Sequence, residues 1–299
     1  MPEIMFERIK AGWRLARQVR ESVSRNKNVL YYPLVSGIIA VAVFAFTFVS
    51  LFISIPLNFS TSSSVAIYVL SLLAAYIIVG FVSTLILLAM LITYRAHNSG
   101  NPISMREAFS RAWAYRLQAL EWALFYTMLV VILRIIESRF RGIAQIVIGA
   151  VGSIMIAIAT FFAIPSILDN KSGPIKAVKE SVSTIKTNFG ATFGGVAYVD
   201  LYTMIFTLGG FALLLIGILL LAAALPIFIV VPLIIAGIVL IAFGVVLNYT
   251  YMNVLKLVLY DYLNGKGLPE GFNEDDLKSA IKRKKSRSMF NLSSGQSEF

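Results

Sequence analysis

The chain alternates long apolar runs with short polar stretches. Six runs, at 31–56, 65–93, 117–136, 143–168, 193–223 and 226–250, hold about twenty or more residues each with almost no charge. Twenty helical residues cover about 30 Å, the thickness of a bilayer's hydrocarbon core. Backbone in lipid must satisfy its hydrogen bonds internally, and these runs lack the alternation of barrel strands. The pattern therefore predicts an all-α fold, a polytopic bundle of six transmembrane helices, with the last helix continuing toward Leu263. Pro33, Pro56, Pro165 and Pro226 punctuate the ends of the runs.

The polar stretches carry a second pattern. A basic–acid–small–apolar–serine phrase occurs at Arg20–Ser24 (RESVS), Arg106–Ser110 (REAFS) and Lys179–Ser183 (KESVS), each time before an odd-numbered span. Each phrase lies in a stretch of helical period. In the first, Phe6, Ile9, Trp13, Ala16, Val19 and Val23 share one face, flanked by Arg8, Lys10, Arg14, Arg17 and Arg20. In the second, Ser104 and Glu107 form a capping box and Met105, Ala108, Phe109 and Ala112 supply the stripe. In the third, Ile175, Val178, Val182 and Ile185 align. Such stripes with basic flanks are those of amphipathic helices lying in the headgroup region.

The expected organisation is an amphipathic segment at 1–29, a six-span domain at 30–263 and a tail at 264–299. The six-span domain reads either as three hairpin repeats, about 1–93, 94–168 and 169–263, or as three unrelated linkers with a shared bias. Two copies follow a Gly/Pro turn, SGNPI at Ser99 and SGPI at Ser172. In the tail, Asn273 reads as an N-cap and Phe272 with Leu277 as a hydrophobic staple for a short helix.

Composition agrees with a membrane class. The chain of 299 residues is 58% apolar and 14% charged, against about 25% charged in soluble domains. Its mean hydropathy is +0.82. The net charge of +11 is explained by where Lys and Arg fall. Seven precede the first span, four lie between spans two and three, four between spans four and five, and eight from Lys256 onward. The opposite side receives only Arg134, Arg139 and Arg141. The positive-inside rule then places both termini in the cytoplasm of a multi-pass plasma-membrane protein, and nucleic acid is not needed to account for the charge. The outer loops are short. Asn58 opens an N-F-S triplet there, either a glycosylation acceptor or an ordinary loop asparagine.

Candidate chemistry is sparse. There is no cysteine and one histidine, His97, which excludes disulfides, Cys/His zinc sites and a Ser/His/Asp triad. No nucleotide motif is present, and no cofactor or metal is expected. Charges inside spans mark function by default. Asp200 lies about 10 Å deep if span five begins near Phe193, from the 1.5 Å helical rise. It reads either as functional or as paired with a base such as Arg116. Glu121, one turn inside span three, carries the same two readings. Lys256 and Asp261 fall beyond the core of span six. The basic tail residues Lys282, Arg283, Lys284, Lys285 and Arg287 read as contacts to anionic lipid or as a solvated, inside-positive tail.

The segments MFERIKAGWRLARQ, YYPLVSGI, FFAIPSILDNKSGPIKAVKESV and YDYLNGKGLPEGFNEDDLKSAIKRKK resemble those of an uncharacterised prokaryotic family of six-span membrane proteins. More distantly, the chain is similar to the membrane domain fused to some glycerophosphodiester phosphodiesterases, without the phosphodiesterase domain itself. The resemblance implies the six-span fold and leaves activity open. The functional expectation is a non-enzymatic scaffold that organises membrane lipid, anionic by charge, or a cytoplasmic or membrane protein partner. The alternative is a transporter or channel for a lipid or small apolar solute.

Overall fold

The computed structural model describes residues 2–54, 62–223, 225–269 and 272–273. Among these, every regular element is helical. The order is α1 (Pro2–Arg25), a short 3-10 turn (Lys27–Leu30), α2 (Tyr31–Ser54), α3 (Ser62–Asn98), α4 (Met105–Trp113), α5 (Arg116–Glu137), α6 (Ile143–Ala159), α7 (Ala163–Asn170), α8 (Pro174–Ala222) and α9 (Ile227–Leu263). Six stretches are long and apolar enough to cross a membrane: Lys27–Ile53, Val65–Asn98, Arg116–Glu137, Ile143–Asn170, Asn188–Ala222 and Ile227–Leu263. They pack as sequential hairpins, α2 on α3, α5 on α6 and α8 on α9. Asn58 and the tail residues from 274 onward, with the capping and lipid-contact readings made for them, lie outside the described residues.

The hairpins turn at one end, here the far end. α1, α4, α7 and the linkers gather at the other, the basic end. Most fully buried side chains are at the basic end. Tyr32, Leu88, Met90, Leu91, Tyr94, Phe162, Leu255, Leu257, Leu259 and Tyr262 are all within 2% of full burial. α6, by contrast, buries no residue. In water a side chain gains by leaving solvent. In lipid, two apolar side chains gain little by meeting.

α1 corrects one expectation. Its stripe faces protein and not headgroups: Ala11, Leu15, Ala16, Val19 and Val23 are fully buried against α8 and α9. Trp13, expected on that stripe, is rotated off it, 40% exposed and edge-on to Tyr198 at 4.9 Å between ring centres. The reason is close approach. A Cβ on Gly12 would fall 1.9 Å from the Ala191 carbonyl oxygen, and one on Gly194 would fall 2.1 Å from that of Ile9. The two backbones touch only because these positions carry no side chain.

The third stripe is also rotated. Ile175 is 62% exposed, while Ala177, Ser181, Thr184, Ile185, Asn188 and Ala191 are buried. α8 leaves helical geometry at Asn188 (φ −133°, ψ 31°), which separates a first segment from the span. The fourth span is likewise broken, into α6 and α7. Pro165 has no N–H, and its ring collides with the carbonyl four residues back. Helix α7 therefore starts afresh at Ala163, with Pro165 in its first turn. The Phe162 N–H freed at this break donates to the Ser181 hydroxyl at 2.9 Å.

Candidate functional site

Three even-numbered spans reach the basic end, and each finishes on a charged residue. α3 carries Arg95 in its last turn, α7 ends at Asp169–Asn170, and α9 ends two residues past Asp261. A carboxylate at a helix C-terminus meets the negative end of the macrodipole, so Asp169 and Asp261 need cations nearby. Arg95 supplies the fork. Its Nε and Nη2 donate to the two oxygens of Asp261 at 3.1 and 2.5 Å, and its Nη1 donates to Asp169 at 2.7 Å. Lys266 closes the set, donating to the second oxygen of Asp169 at 2.5 Å. Asp169 is 9% exposed and Arg95 29%, dry enough for the network to be held more tightly than a surface pair.

Local backbone makes these ends possible. Lys171 stops α7 in the left-handed region (φ 45°, ψ 34°). Gly265 and Gly267, at φ 84° and 82°, turn the chain so that Lys266 comes back over Asp169. Beside the network lies a second polar set. The fully buried Ser166 hydroxyl donates to the Glu180 carboxylate. Asn170 donates to Glu180 at 3.1 Å and reaches the Tyr260 hydroxyl at 3.4 Å. Thus KESVS has a job in each of two positions: Glu180 gathers the end of α7, and Ser181 caps the break before it. In the first copy, Ser22 shares a hydrogen bond with Tyr94 at 3.0 Å. In the second, the same position is Ala108, fully buried. Only one arm of the expected capping box is seen there: Ser104 accepts from the Glu107 N–H, while the Glu107 carboxylate accepts from Arg111.

Two clefts flank Arg95. One, about 610 Å³, opens toward α4 and includes Ser99, Asn101, Arg111, Tyr115 and Lys171. The other, about 370 Å³, opens toward Asn98, Asp261 and Lys266. Among the described residues no group of three or more His, Asp or Glu could share a metal ion.

The residues singled out from the sequence lie elsewhere. Asp200 is exposed on the helix surface and accepts from Asn248 Nδ2 at 2.9 Å. The same amide donates to Thr203 at 2.9 Å. Its hydrogen-bond partner is Asn248 on α9 and the base that acts on its charge is Lys256, while Arg116 donates to the Trp113 carbonyl at 3.4 Å. Glu121 is exposed and sits by the start of α8, its Oε2 3.4 Å from where a Cβ on Gly173 would be. An acid at a helix N-terminus is favourably placed. Lys256 lies over the Phe161 ring at 5.1 Å. Sequence reasoning missed Arg95, Asp169 and Lys266 and set Asp261 aside. The available signal was positional: each even span ends on a charge followed within a few residues by glycine and proline, at Gly100 and Pro102, Gly173 and Pro174, and Gly265 and Pro269.

A family model covering residues 61–267 matches the chain, well over half its length. The chain belongs to this family of unknown function (DUF6159). The matched stretch of the DUF6159 chain contains the whole Arg95–Asp169–Asp261–Lys266 network and both clefts' charged residues, while α1 lies outside it. No curated protein and no solved structure matches. The likeness to the phosphodiesterase membrane domain gains no support from these comparisons.

Proposed function

We propose that the chain is a non-enzymatic scaffold of the plasma membrane, with both termini in the cytoplasm, that holds membrane lipid or a protein partner on its cytoplasmic face. The observation that carries this reading is the division of polar groups. Apart from the Arg134–Glu137 pair at the far end, the ion pairs among the described residues lie at the basic end, as do the two clefts beside Arg95. Several hydroxyls along the spans are taken up by their own helices: Thr47 on Val43, Thr84 on Gly80, Thr127 on Ala123 and Thr160 on Ile156, all at 2.7–2.8 Å, while Ser36 with Ser83 and Asn248 with Thr203 bond across helices. A path for a polar solute needs such groups to face one another across helices. Purified protein in liposomes is expected to leave solute flux at the lipid background. Native mass spectrometry of the protein in nanodiscs drawn from its own membrane is expected to retain lipid or a partner chain. Flux well above background would overturn the reading.

The conduit reading keeps one observation in its favour, the Asp200–Asn248–Thr203 set that bridges α8 and α9 within the spans. On that reading Asp200→Asn abolishes flux without lowering expression. Flux that survives the substitution removes Asp200 from any transport role.

A further inference from the structure

The cleft on the α4 side of Arg95 is lined by three cations, Arg95, Arg111 and Lys171, and by no carboxylate. The acids nearby lie outside its lining: Glu180 takes Ser166 and Asn170, and Glu121 stands by Gly173. Asp261 faces the second cleft, Asp169 takes Arg95 and Lys266, and Glu107 takes one Nη of Arg111. Lys171 has no carboxylate partner among the described residues. Its left-handed backbone (φ 45°) closes α7. Its ammonium stands 5.4 Å from the Tyr115 ring centre. Tyr115 is fixed in turn, its hydroxyl donating to the Leu168 carbonyl at 3.0 Å. The cation is thus pre-positioned at the rim.

The rest of the wall narrows the ligand. Ser99 and Asn101 add polar groups, and Ile92, Ile103 and Leu168 form an apolar side. A small hydrated anion has no use for that apolar side. An amphiphile with a phosphate at the membrane boundary uses both. We propose that this cleft binds the phosphate of an anionic phospholipid headgroup, with Lys171 and Arg111 as its charge partners and the apolar side against the glycerol region. The proposal rests on the reading of the basic end as a lipid-holding face, and it names the ligand of that face.

The test uses full-length protein in mild detergent, washed of lipid. It is titrated with phosphatidylglycerol, with phosphatidylcholine and, separately, with inorganic phosphate, and followed by native mass spectrometry and by thermal midpoint. The expected result is one retained phosphatidylglycerol per chain and weaker retention of phosphatidylcholine. The double variant Lys171→Gln/Arg111→Gln should lose affinity about thirtyfold, from roughly fivefold per basic group beside an anionic surface. Both side chains are exposed, so the lipid-free thermal midpoint should be unchanged; Lys171→Arg should retain the lipid. If inorganic phosphate stabilises the protein through Lys171 while phosphatidylglycerol does not, the ligand is a free anion and the lipid assignment falls. Equal retention by wild type and double variant, or none by either, overturns the site. Solute flux through the pure protein would sink the scaffold reading while leaving this retention result intact.

Discussion

At the basic end, Arg95 grips carboxylates from two other helices, Ser166 and Ser181 are fully buried with partners, and the α1 and α8 backbones touch. At the far end, α6 buries nothing, and Phe46, Phe52, Ile53, Ile143, Ile146 and Phe228 are 70–81% exposed. The difference follows from the solvent each end meets. Where water reaches the protein, apolar burial and satisfied polar groups both stabilise, so a core forms. Where lipid surrounds the helices, exposure of an apolar side chain costs almost nothing, and packing depends on close backbone approach. Between α8 and α9 that approach is made by Gly210 and Gly237, where an added Cβ would fall within 3 Å of the facing carbonyl in either direction.

The sharpest way to break this contrast is Arg95→Ala. It leaves Asp169 and Asp261 without their shared cation, and the cost should be about 3 kcal/mol, toward the lower end for a buried pair because Arg95 keeps some exposure. Denaturation of the detergent-solubilised protein measures it, and adding Asp261→Ala should cost less than the sum of the two single changes. Next comes Gly12→Ala, which drives a methyl group into the Ala191 carbonyl. About 2 kcal/mol is expected, with limited proteolysis reading the release of α1. Ser181→Ala should cost about 1.5 kcal/mol by stranding the Phe162 N–H at the α6–α7 break, in the same denaturation assay. The contrast is sharpened from the other side by Thr127→Val inside a span. Its hydroxyl serves only its own helix, so about 0.6 kcal/mol or less is expected. Met155→Leu on α6, 65% exposed, should change stability by less than about 0.5 kcal/mol. If it costs as much as Ser181→Ala, α6 has a protein partner.

Six spans were legible from hydropathy because each apolar run meets a physical requirement of length that composition alone expresses. The amphipathic stretches were legible as helices but not in rotation. Trp13 and Ile175 look like core residues by hydropathy, yet the seams run through Gly12 and Ser181, whose smallness permits approach. Hydropathy reads what a side chain avoids and is blind to what a missing side chain allows. Asp200 drew notice as an acid within an apolar run; its hydrogen bond comes from a neutral amide, Asn248, and the base acting on its charge is Lys256 and not Arg116. Arg95 and Asp169 escaped notice because each, taken alone, is an ordinary charge at a helix end. Their meaning comes from three helix ends meeting, which no local window contains.

The network also orders events in time. Arg95 and Asp169 are 74 positions apart, and Arg95 and Asp261 are 166 apart. A ribosome working from the N-terminus delivers Arg95 with the first hairpin, the first carboxylate with the second, and the remaining carboxylate and Lys266 only after the last helix. Until then the guanidinium fork is incompletely filled. The last pair to form therefore marks completion of the membrane domain, and a chain cut short before Asp261 leaves Arg95 with Asp169 alone.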